Sequence, residues 1–356
     1  MESQKVDVSN LTRSKARVGS AIDYLTILFA LWLLSGVFID GYAHGHIDET
    51  LETFFTPWHA VLYSGFLACA IWFTSLTYRN YRLGWRGREA IPHGYGTGVI
   101  GVMIFAVGGL SDMIWHIILG IEVGIEALYS PSHLLLFLGG TLIVASPLKR
   151  AWVSQTAEGG TSPRLMQLLP ALVSLGFATS FTAFFAMNYW AFSHGYPSQG
   201  YNDWLMGRGL QHYMYEQGRV IGIANILITN AILIIPIVWL LKRWNPPTGS
   251  FTLLMTIPMV FMSVLEGFDN YYMIAGGIIA GLIADILWRA LQVSRGGWRV
   301  QLHLGLLSTL IWILYFLIIE LQDKVAWEPE YWGGAIVLAV LCSVVFSKLS
   351  RTEPEV

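Results

Sequence analysis

Ten apolar stretches, at about 21–42, 58–78, 97–119, 131–148, 165–192, 214–241, 250–267, 272–293, 301–321 and 331–348, leave this chain little freedom in its fold. Each is close to the roughly 17 to 25 residues that cross a bilayer as a helix. In hydrocarbon every backbone N–H and C=O must pair inside the protein, which admits helices and closed barrels only. Stretches of this length predict helices. The composition agrees: 54% of residues are AVILMFWYC and 12% are charged, where a soluble domain carries about 25%. The 15 Trp, 16 Tyr and 18 Phe suit the two membrane interfaces. The expected class is all-α, a polytopic membrane bundle of about ten transmembrane helices.

The connections set an orientation. Arg13, Lys15 and Arg17 precede the first stretch, and Arg79, Arg82, Arg86 and Arg88 follow the second. Lys149, Arg150 and Arg164 follow the fourth, Lys242 and Arg243 the sixth, and Arg289, Arg295 and Arg299 the eighth. The alternate loops carry Asp48, Glu49 and Glu52, then Glu122 and Glu126, then further acids. Lys and Arg collect on the cytoplasmic side, so both termini are expected there, in a bacterial or archaeal plasma membrane. The polar N-terminus has no small-residue cleavage site and is expected to stay. The expected organisation is a cytoplasmic tail (1–20), a duplicated hairpin pair (21–148), six further membrane helices (149–348) and a cytoplasmic tail (349–356). The net charge of −2 and the lack of a basic cluster argue against nucleic acid. Cys69 and Cys342 lie in apolar runs and read as small buried hydrophobes.

Within the first four stretches one pattern of costly residues occurs twice. The first copy is Gly36, Asp40, His44, Glu52, Pro57, His59, Leu62 and Gly65; the second is Gly108, Asp112, His116, Glu126, Pro131, His133, Leu136 and Gly139. The copies are offset by 72 residues up to the first His and by 74 after it. Asp-x3-His places two side chains on one helix face, one turn apart. Thr56-Pro57 and Ser130-Pro131 match a helix start, a hydroxyl cap followed by Pro in the first turn. His59 and His133 then fall in the first turn of the returning helix. A hairpin can converge one carboxylate and two imidazoles, a donor set for copper, zinc or Fe(II) with positions left open. Glu52 and Glu126 are candidates for a fourth ligand, an acceptor behind an imidazole, or a general base. A lone His or Asp near a bilayer surface is commonly an interfacial or capping residue; the doubled motif favours metal.

The motif resembles the metal-binding segments of the C subunit of copper membrane monooxygenases, the particulate methane and ammonia monooxygenases. The likeness lies in Asp-x3-His followed by a later His behind Pro-x, over about 110 residues. It implies one copper site at Asp112, His116 and His133 and a second at Asp40, His44 and His59. It also implies oxygen chemistry and partner subunits.

These readings lead to a membrane metalloprotein, with copper first and zinc or iron next, oxidising a small apolar or lipid substrate at the outer face. Additional membrane subunits or a homo-oligomer fit it. The alternatives are a metal or small-solute transporter, a metal-dependent hydrolase with Ser111 beside Asp112, and a His-based pH sensor. A transporter needs ligands in the inner halves of the first four helices, and none stand out there. Asp285, deep in the eighth stretch behind Gly276, Gly277 and Gly281, is a candidate cation or proton site, against a plain hydrogen-bonding role. Glu216 and Arg219 are expected to pair. Asn188, His194, His212 and Glu216 are weighed as a degraded third copy. Glu266 and Asp269 are expected in an outer loop.

Overall fold

A computed structural model describes residues 19–47, 54–120, 124–154, 163–209, 213–293 and 297–348. Two compact units emerge: Met1–Gly160 with Met166–Phe177, and Thr161–Leu165 with Ala178–Val356. Every extended regular element is helical, and the described residues contain one isolated bridge, Ser198 with Val325.

The first unit opens with α1 (Gly19–His46) and α2 (Pro57–Arg82). A second pair follows: α3 (Gly96–Leu119), the short α4 (Ile125–Tyr129) and α5 (Pro131–Val144). α6 (Ser146–Ser154) leaves α5 at a bend of 43°. The expected single helix at 131–148 is therefore broken. Pro147 explains the break, because it has no N–H for the Ile143 carbonyl and its ring crowds that turn. α7 (Leu165–Phe185) follows, shorter than the expected 165–192, and the chain continues as a 3-10 turn at Met187–Tyr189. The second unit holds α8 (Gln199–Gly207), α9 (Tyr213–Arg243), α10 (Ser250–Leu265), α11 (Tyr271–Ala290), α12 (Trp298–Asp323) and α13 (Pro329–Ser347). Among the described residues, eight helices are long and apolar enough to cross a membrane, the bent α5–α6 pair is a ninth, and α10 is shorter. This is a polytopic helical membrane bundle.

Glycines decide how the first unit packs. A Cβ on Gly36 would meet Leu62 Cα at 2.6 Å, and one on Gly65 would meet Leu33 Cα at 2.7 Å. In the second pair, a Cβ on Gly139 would meet the Phe105 nitrogen at 2.6 Å, and one on Gly108 the Leu136 nitrogen at 3.0 Å. All four belong to the doubled motif. Lipid tails are as apolar as Leu, so close backbone approach and dispersion hold membrane helices together. Leu33, Leu62, Phe73, Phe105 and Ile143 fill the core between the helices.

At the end of this unit opposite the motifs lies a second polar cluster. The Tyr95 hydroxyl donates to Asp23 Oδ1 at 2.6 Å and sits 3.1 Å from Thr26 Oγ1, which accepts from Trp72 Nε1 at 2.9 Å. Arg150 pairs with the same Asp23 oxygen at 3.6 Å. Burial, with the Asp23 carboxylate beside it, pushes the Tyr95 hydroxyl above its ordinary range. The members of this cluster satisfy one another, and it reads as a lock between helix ends.

In the second unit, Asp285 is buried on α11 and accepts from Thr252 Oγ1 at 2.6 Å and from the backbone N–H groups of Thr252 and Phe251 at 3.0 and 3.4 Å. It is a carboxylate at the first turn of α10, where the helix leaves N–H groups unpaired and favours negative charge. Gly281 lets it in, since a Cβ there would meet Thr252 Cα at 2.5 Å. Arg219 pairs with Glu216 as expected, and also with Glu328, between the Tyr215 and Tyr331 rings.

Candidate metal centre

Each motif builds a three-residue cluster inside its own hairpin. On α1, Asp40 and His44 share a face, with Oδ2 and Nε2 3.8 Å apart. α2 begins at Pro57 behind the cap Thr56, whose hydroxyl accepts from the His59 N–H at 3.2 Å. That cap sets His59 in the first turn, and its Nε2 lies 3.3 Å from Asp40 Oδ1. α3 and α5 do the same. His116 Nε2 and His133 Nε2 lie 3.5 and 3.3 Å from Asp112 Oδ1, and Ser130 caps α5 ahead of Pro131. In both clusters one ligand atom from each residue lies within 4.8 Å of the other two.

Three of these four separations fit a small ion, and the 3.8 Å between Asp40 Oδ2 and His44 Nε2 is longer. Metal bonds of about 2.0–2.2 Å in a tetrahedral arrangement place ligand atoms roughly 3.3–3.6 Å apart. The proton positions fit as well. His59 Nδ1 is 2.7 Å from the Phe54 carbonyl, which can only accept, so Nδ1 carries the hydrogen and the lone pair of the neutral ring is on Nε2. That lone pair faces a carboxylate oxygen, an arrangement that calls for a cation or a proton between them. His133 Nδ1 is likewise 2.7 Å from Ser130 Oγ. A hydrogen bond at the far nitrogen is how proteins orient a metal-binding imidazole. Asp112 is the more enclosed carboxylate, at 2% exposure, and Asp40 is only half-buried.

The two clusters are neighbours. The His59 and His116 ring centroids are 5.9 Å apart, and Phe54 packs near both, at 5.1 and 6.0 Å. Tyr63, one turn below His59, donates to Asp112 Oδ2 at 3.0 Å. The motif by itself gives Tyr63 no role; the signal it carries is that Tyr63 in one copy is replaced by Phe137 in the other.

The other candidates fall elsewhere. Glu52 lies outside the described residues; Glu126 lies on α4, with its side chain outside them too. His46, beside the first motif and matched by Ile118 in the second, is exposed and stacks on Tyr42 at 4.2 Å. Asn188, His194 and Glu216 form no third cluster of metal-ligating residues among the described residues, and His212 lies outside them. Asp269 is exposed in the turn between α10 and α11.

No family model, no curated protein and no solved structure matches this chain.

Proposed function

We propose that this is an integral membrane metalloprotein holding transition-metal ions, copper first, in two adjacent sites. Asp40, His44 and His59 are the ligands of one; Asp112, His116 and His133 are the ligands of the other. The observation that supports this most is the pair of Nε2 atoms within 3.5 Å of the buried Asp112 Oδ1, with His133 held from behind by Ser130. Two His and one carboxylate also suit zinc and iron; the likeness to copper membrane monooxygenases favours copper. When bound, copper would supply electron transfer and oxygen activation, and the reading is an oxidoreductase acting on a small apolar or lipid substrate. Glu52 and Glu126 would serve as outer-layer acceptors or a base. Electron supply would come from further membrane subunits or a second copy. The motif end would face outward, so a reporter fused after Tyr78 reads cytoplasmic.

The test is metal content by mass spectrometry on detergent-purified protein, beside His59→Ala and His133→Ala. The reading expects copper in the wild type, loss of part of it in each variant, and oxygen uptake by the copper-loaded protein. A protein that retains zinc and no copper would point to hydrolysis by a metal-bound water. One that retains neither, nor iron, after reconstitution would sink the metal reading.

A further inference from the structure

A cavity of about 720 Å³ opens between α2 and α3 beside His59. That is within the roughly 300–1,000 Å³ of small-molecule sites. His59, Tyr63 and Phe66 line it from one face of α2, at spacings of four and three; Phe105, Gly109 and Met113 line it from one face of α3, at spacings of four. The helices are antiparallel, so the shallow end is His59 with Met113 and the deep end is Phe66 with Phe105. Eight residues from Phe105 to Met113 make a channel about 12 Å long. Its polar groups, Thr56, His59 and Tyr63, gather toward the shallow end. The deep end is closed by the Phe66 and Phe105 rings, stacked with centroids 4.6 Å apart. The lip is lined by small exposed side chains, Ala60 and Ala106, and by Leu110, 57% exposed.

We infer that this cavity binds a single-chain amphiphile, a fatty alcohol or fatty acid, taken sideways from the bilayer. The cavity is mostly apolar, with its few polar groups, Thr56, His59 and Tyr63, toward the helix-end side among Phe54, Phe55 and Pro57, and none at the Phe66 and Phe105 end; a bilayer has the same order, polar at its surface and apolar in its middle. An amphiphile in the membrane already lies with its head at that depth and its chain pointing inward, so it slides between α2 and α3 without turning. The wall requires Gly109, since a Cβ there would stand 2.7 Å from Tyr63 Cε1 and displace the ring that joins the cavity to Asp112. The head group then lies beside His59 and Tyr63, the lining residues next to the proposed metal centre. That its head meets a metal rests on the proposed metal centre; binding of its chain does not.

The experiment is photocrosslinking of the full chain in liposomes with a diazirine-bearing decanol, matched to the channel length, with adducts mapped by mass spectrometry and metal content measured on the same samples. Adducts are expected on the cavity-facing residues of α2 and α3 and are competed by unlabelled decanol. Ala106→Trp and, separately, Ala60→Trp are expected to cut them about tenfold by filling the lip, because the chain loses its space. Val107→Trp, one residue along and outside the lining, leaves them unchanged. Adducts spread over exposed residues of all the spans, or indifferent to both lip variants, would overturn the inference. Cavity adducts in protein that binds no metal would uphold it and sink the metal centre alone; full metal with scattered adducts would do the reverse.

Discussion

The Tyr63 hydroxyl, on the first hairpin, donates to Asp112 Oδ2 on the second at 3.0 Å. A ligand of one proposed site is thus oriented by a residue whose own turn belongs to the other. Tyr63→Phe removes that hydrogen bond and keeps the ring, and the second motif already carries Phe137 at the matching place. Loss of such an outer hydrogen bond is expected to weaken metal binding about 10–100-fold. In chelator-competition titrations the weakening should fall on the site of Asp112, with the Asp40 site close to wild type.

His59 and His116 face each other across 5.9 Å but belong to different clusters. Two complete clusters imply independent occupancy. His59→Ala and His116→Ala should each remove about half of the bound metal, and the double variant nearly all, since each loses one of three ligands. His46→Ala should lose none. Loss of all metal from either single variant would mean one shared site.

Gly36 and Gly65 hold α1 and α2 at backbone contact. Val at either position drives a branched side chain into the partner backbone, at a cost of about 1–3 kcal/mol or more, and pulls His59 away from Asp40. Melting in detergent should shift down, with metal lost from the first site. Gly45 has open space around its Cα, so Gly45→Ala should hold or raise stability, by up to about 1 kcal/mol.

Asp285 is the buried carboxylate that a membrane sequence marks as functional. Its two oxygens take three donors at the start of α10. Asp285→Ala leaves those donors without an acceptor, at about 1–3 kcal/mol. Thermal unfolding should show that loss while metal content stays at the wild-type level. Asp285→Asn, which keeps one acceptor oxygen, should fall between them. An unchanged melting point in Asp285→Ala would refute the capping role.

Much of the site was legible because its parts are local. Asp40 and His44 share a face through helix periodicity, and Thr56-Pro57 announces the helix start that carries His59. Glu52 and Glu126 showed the limit: a constant distance before Pro gives chain position and no side-chain direction. Asp285 showed another. An acid in an apolar run signals that something must compensate it, but the compensating groups, Phe251 and Thr252, come from the preceding helix.

The sequence by itself determined the class of protein, since apolar runs of this length allow only helices in hydrocarbon, and it determined which residues converge within each hairpin, since a turn of helix and a cap are set by neighbours in the chain. The tertiary structure decided what lies between the hairpins: His59 beside His116, Tyr63 on Asp112, and the cavity between α2 and α3. Those relations depend on which helix faces pack. In a bilayer that choice rests on shape and on close contacts such as Tyr63 on Gly109 and Phe73 on Gly98, because burial of apolar surface, which sorts faces in water, does not distinguish protein from lipid.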